Sequence, residues 1–83
     1  RVNKGIFKAV KFLRPNYNSN ILEIGCGCGS TLKKINLFFK SNVFGIDTSK
    51  KAINYGLKNK KLKNMFHKTF LSFKTKKKFV WLG

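Results

Sequence analysis

Ile21-Leu22-Glu23-Ile24-Gly25-Cys26-Gly27-Cys28-Gly29 is the stretch from which the rest of the chain can be read. The first four residues, bounded by Asn20 and Gly25, have the profile of a short parallel strand covered by helices on both faces. Three glycines at alternate positions follow at once. Glycine lets backbone approach a ligand at the carboxyl end of a strand, where side chains would stand in the way. Downstream, Ser30 or Thr31 is expected to cap a helix whose Leu32, Ile35, Phe38 and Phe39 form one stripe, with Lys33, Lys34 and Lys40 outside it. Ser41-Asn42 breaks that helix, and Val43-Phe44-Gly45-Ile46-Asp47 reads as a second strand closed by an acid.

The acids stand out because there are only two, Glu23 and Asp47, against 19 lysines and arginines. A strand, a glycine turn, a helix and a second strand ending in a carboxylate make half of a mononucleotide-binding α/β unit. A carboxylate accepts two hydrogen bonds at once, so the diol of a sugar is a natural partner for Asp47, through charge-assisted bonds. The plainer reading is that Asp47 caps the following helix, a task Thr48 or Ser49 could also perform. The dinucleotide pattern G-x-G-x-x-G is not met, since its last glycine would fall at Ser30. Glu23 also disfavours a diphosphate, which would repel it, and favours a ligand carrying ammonium or sulfonium charge. The plain alternative for Glu23 is a satisfied polar residue at a strand end.

Around this core, Ile6, Phe7, Val10 and Leu13 recur at helical spacing between Val2 and Leu13, with Lys4, Lys8 and Lys11 opposite. Pro15 forces Arg14 out of the helix, and a loop runs to Asn20. After Asp47 a third helix is expected to face Ala52, Ile53, Gly56 and Leu57 inward. Gly56 there costs about 1 kcal/mol against alanine, which a close helix-to-sheet approach would justify. Lys58 to Lys63 reads as its exit loop, Met65-Phe66-His67 as a weak third strand, Leu71 to Lys78 as a basic loop and Phe79 to Leu82 as a fourth strand.

Eighty-three residues allow one small domain, and both ends, Arg1 and the apolar run up to Gly83, look cut from something longer. The formal charge of +17 admits a polyanion partner. However, 17 of the 19 cations are Lys, and an abundance of Lys, Asn, Phe and Ile is what an A/T-biased coding sequence yields, so solvated lysines are the plainer account. Cys26 and Cys28 are too close for an unstrained disulfide and read as small apolar fillers beside the glycines. With His67 they number three soft ligands, short of a closed zinc site. His67, Trp81 and Tyr55 read as packing or surface residues. No run reaches the length of a membrane span and no leader is visible, so a cytoplasmic location is expected.

Glu23-Ile24-Gly25-Cys26-Gly27-Cys28-Gly29 after one strand, and Gly45-Ile46-Asp47-Thr48-Ser49-Lys50-Lys51-Ala52-Ile53 after the next, resemble the first two motifs of class I S-adenosylmethionine-dependent methyltransferases. The resemblance implies S-adenosyl-L-methionine as cofactor, with Glu23 holding its methionine portion and the turn of Gly25, Cys26, Gly27 and Gly29 passing beside it. Asp47 would take the ribose hydroxyls, with Ile46 and Thr48 near the adenine. It also implies a Rossmann-like, doubly wound parallel sheet of strand order 3-2-1-4 with later strands missing. Residues 1–83 are then a single incomplete methyltransferase domain, 1–14 its leading helix and 20–83 its cofactor-binding half. The acids that family members commonly carry after the third strand and before the fourth are replaced by Thr69-Phe70-Leu71-Ser72 and Lys76-Lys77-Lys78-Phe79. The acceptor and the catalytic base are unassigned, and the isolated 83 residues are expected to bind the cofactor weakly or not at all. Two rivals stay open. One is a small basic nucleic-acid-binding module using Lys58, Lys60, Lys61, Lys63, Lys74, Lys76, Lys77 and Lys78; the other is an inactive remnant.

Overall fold

The computed structural model describes residues 1–83. The chain runs α1 (Lys4–Leu13), β1 (Asn20–Ile24), α2 (Ser30–Phe39), β2 (Asn42–Asp47), α3 (Lys50–Asn59), β3 (Met65–His67) and β4 (Val80–Leu82). The four strands form one parallel sheet in the order β3-β2-β1-β4. That is the order the glycine-turn reading implied. β1 lies inside the sheet, with Ile21 opposite Val43 on one side and opposite Val80 on the other.

Alternation along the strands sorts side chains onto two faces. Ile21, Val43, Met65 and Leu82 turn toward the helices and join Phe7, Val10, Leu32, Ile35 and Ile53 in one buried cluster. All three helices therefore supply the same core. The expected second helical layer over β1 is not part of these residues. Instead an aromatic layer lies against Leu22 and Ile46, both fully buried, with Phe44 packed edge-on to Phe79 and Phe79 to Trp81. Phe70 and Phe73, from the segment between β3 and β4, extend this layer.

Local rules explain most boundaries. The side chain of Asn3 accepts from the Ile6 N–H and caps α1, which starts at Lys4 rather than Val2. Arg14 closes it in the left-handed region, φ 51°, ahead of Pro15. Leu13, expected inside, is exposed because the helix ends before it can turn inward. Phe38 is likewise exposed at 61 % and touches the core only edge-on, through Phe7 and Phe39. Leu57 of α3 is also exposed. Leu62 runs the other way: it lies in the loop after α3, yet it is buried in the core.

Neither Ser30 nor Thr31 caps α2. Its N-cap is Gly29, without a side-chain hydrogen bond, and the Thr31 hydroxyl accepts from the Asn3 N–H at 2.8 Å, tying α1 to α2. Gly56 does answer to a close approach, but the partner differs from the one expected. A Cβ there would collide with the carbonyl oxygen of Cys28, so α3 presses on the glycine turn rather than on the sheet.

Candidate functional site

The glycine turn leaves the carboxyl end of β1 with Gly25, Gly27 and Gly29 all at positive φ, 75°, 57° and 86°. Side chains rarely adopt that region, so the path of the turn itself calls for glycine. The directions differ. A Cβ on Gly25 or Gly27 would meet nothing within 4 Å, whereas one on Gly29 would lie 2.5 Å from Leu62 Cδ1 and 3.1 Å from Met65. Gly25 and Gly27 thus present bare backbone to open space, and Gly29 owes its missing side chain to core packing. Cys26 turns its Sγ into the core beside Gly45, as a small filler would, which leaves only its backbone for a ligand.

Asp47 ends β2 beside this turn. Its Oδ2 accepts from the Gly27 N–H at 2.8 Å, and its Oδ1 accepts from the Ser49 N–H at 2.7 Å. The carboxylate therefore faces the mouth of the turn. Capping of α3 falls to Ser49, whose hydroxyl accepts from the Ala52 N–H at 3.2 Å. A carboxylate offers about four acceptor positions, so two remain for a ligand after the backbone has used two. The turn is fixed from the other side as well, because the N–H groups of Gly25 and Cys26 both donate to the Ile46 carbonyl, at 2.9 and 3.1 Å.

A hollow of about 170 Å³ opens at this carboxyl edge, with Ile24, Gly25, Ile46, Asp47 and Thr48 on its wall. Its far side is formed by Lys68, Thr69 and Phe70. Sequence reasoning placed Gly25, Ile46, Asp47 and Thr48 together, and here they meet. It missed Ile24, Lys68, Thr69 and Phe70, and the only available signal was their position just beyond β1 and β3. His67 is not in the hollow; its Nε2 lies 3.0 Å from the Thr48 carbonyl and links the ends of β2 and β3. Two roomier depressions, about 500 and 530 Å³, sit on the outer sides of α2 and α1 among lysines and contain no acid. The basic residues as a whole are spread over three helices and two loops.

Glu23 lies behind the turn. It faces the helix side of the sheet, opposite Gly45 and Leu82, is only 6 % exposed, and its Oε1 is fully buried without a hydrogen-bond partner. Burial, and then the negative charge of Asp47, push its carboxyl up to about 7. The Cys26 thiol is pushed up to about 12, chiefly by burial and then by Glu23 and Asp47. Cys28 goes the other way: its thiol is lowered first by the hydrogen bond with Ser30. No acid is bonded to a lysine or arginine, as Asp47 is held by backbone N–H groups alone.

This arrangement of a bare glycine turn facing a strand-end carboxylate is matched by a family model described as a methyltransferase domain, over residues 15–74. The chain belongs to the methyltransferase-domain family. The matched span takes in the turn, both acids and the hollow. Among solved structures, the plantazolicin methyltransferase BpumL in complex with a pentazolic desmethylPZN analogue and SAH is similar at 30 % identity and a TM-score of 0.64. The same enzyme with a triazolic analogue and SAH gives 31 % and 0.61. In both comparisons 70 % of this chain is covered, and the chain spans 23 % of the length of the solved methyltransferase. No curated protein matches the chain.

Proposed function

We propose that this chain supplies the donor-binding part of an S-adenosylmethionine-dependent methyltransferase, with the adenosyl group in the hollow between β1 and β2. The observation that carries this reading is Asp47, whose carboxylate faces the tri-glycine turn with half its acceptor positions still free. The residues present fit the cofactor on three counts. Asp47 can take a ribose diol, the bare faces of Gly25 and Gly27 leave room for a ligand against the backbone, and the orphaned Glu23 Oε1 suits a cationic neighbour. Ile46 and Phe70 offer apolar surface for a purine, and Thr48 and Thr69 lie beside them. The similar solved enzyme holds SAH, the form that S-adenosylmethionine takes after giving up its methyl group.

When bound, the cofactor supplies an electrophilic methyl on a sulfonium. The task of these residues is to bind and orient it, since in-line displacement rests chiefly on alignment. They hold the ribose at Asp47, keep the backbone of the turn fixed through the Ile46 carbonyl, and place a negative site behind it at Glu23. The account covers the donor only, and no residue of the chain is assigned to the acceptor. A cytoplasmic setting belongs to the same proposal; it is supported by Cys26 and Cys28, which are free thiols. No helix is long and apolar enough to cross a membrane.

Calorimetry of SAH binding to the full-length protein tests the assignment. Asp47→Ala should weaken binding by about thirtyfold or more, ~2 kcal/mol for lost charge-assisted bonds. Unchanged affinity in a folded Asp47→Ala protein would reject the ribose role.

A further inference from the structure

We propose that Glu23 is the residue through which this site distinguishes a charged donor from an uncharged one: its buried carboxyl holds a proton in the free protein and releases it to solvent when a cationic adenosyl ligand enters. The inference rests on the donor-site reading and adds to it a proton that moves with binding.

The geometry behind it is specific. Glu23 is paired with Gly45, and the atoms above Gly45 are Cys26 Sγ and Leu32 Cδ1, so the carboxyl lies under an apolar roof. On its other flank β4 presents Leu82, also buried. Oε1 has no partner in this enclosure. A buried acceptor left unpaired is costly, and a charged one more so, unless a ligand compensates it.

The groups that bear on Glu23 are few. Asp47, from β2, adds negative charge, and Cys26, from the turn, stays a thiol because its own titration is pushed far upward. The lysines of α2 point elsewhere, with Lys34 Nζ over the Phe7 ring at 4.3 Å. Those of α1 and α3 are exposed. No cation of the chain therefore neutralises the pair of acids, in a protein that has 19 cations to offer. A ligand that brings its own positive charge supplies what is lacking, and ionising Glu23 beside it becomes favourable.

The direction of the pH effect follows from linkage. With the free carboxyl titrating at about 7, the protein is largely protonated there below that pH. A ligand that prefers the ionised form must then expel the proton. Affinity rises with pH up to about 7 and is flat above it, changing by up to about tenfold per pH unit on the acid side. The slope should grade with ligand charge: absent for adenosine, present for SAH with its ammonium, and steepest for S-adenosylmethionine, which adds the sulfonium.

The test is calorimetry of the three ligands on the full-length protein between pH 5.5 and 8, in two buffers of different ionisation enthalpy, so that protons released are counted. The expected result near pH 6 is close to one proton released by S-adenosylmethionine and none by adenosine, with the release abolished in Glu23→Gln. A His67→Gln control should keep it. Binding of S-adenosylmethionine with a flat pH profile, or a proton release that survives in Glu23→Gln, would overturn this inference and leave the donor site standing. No binding at any pH would remove the donor-site reading and this inference with it.

Discussion

Gly29 and Gly27 differ in what their missing side chains leave room for, and the difference can be measured. Alanine at position 29 meets Leu62 Cδ1 at 2.5 Å as well as an unfavourable φ of +86°. Overpacking and backbone strain together should cost about 2–4 kcal/mol. Gly27→Ala faces open space, so only the strain at φ +57° counts, about 1–2 kcal/mol. Chemical denaturation of the two variants should rank them in that order, and equal losses would contradict the packing role of Gly29. The sequence showed that three glycines follow a strand, which is enough to locate the turn. It could not show which of them looks outward, because that depends on Leu62 and Met65, more than thirty residues downstream. The same holds for Glu23 and Asp47. Their positions at strand ends were readable, while the orphaned Oε1 and the bond from Gly27 appear only once β1 and β2 are paired in register.

Among the elements, α3 shows how a contact can override local preference. Helix propensity favours alanine over glycine at position 56 by about 1 kcal/mol. A Cβ there would run into the Cys28 carbonyl, a backbone atom that cannot swing aside. Gly56→Ala should therefore destabilise the protein by about 1–3 kcal/mol and lower its melting temperature, where an unconstrained helix would gain. A rise in melting temperature would mean that α3 does not press on the turn. Periodicity located all three helices, since the stripes that end in Val10, Ile35 and Ile53 reach the core. It failed at helix ends. Leu13 and Phe38 fit the period but lie where the sheet no longer covers the helix, and Leu62 breaks the period yet fills the gap beside Gly29. Caps were legible where a side chain performs the task, as at Ser49, and illegible at Gly29, where the backbone does so alone.

At the scale of the molecule, charge and chemistry separate. Seventeen lysines clothe the helices and loops, while the only two carboxylates converge behind and beside one turn at the carboxyl edge of the sheet. Parallel order places that edge where ligands of open α/β sheets bind, at the crevice beside the strand ends. Topology was readable because a strand, turn, helix and strand of this kind admit few arrangements. The helix-free aromatic face of Phe44, Phe79 and Trp81 was not, since the short apolar run of β1 looks alike whether helices or aromatic rings cover it. The most direct measurement is a crystal structure of the full-length protein with SAH. The account predicts both ribose hydroxyls on the Asp47 carboxylate and the purine between Ile46 and Phe70. SAH lodged in the lysine-lined depression beside α2, or held at the sheet edge without touching Asp47, would contradict it.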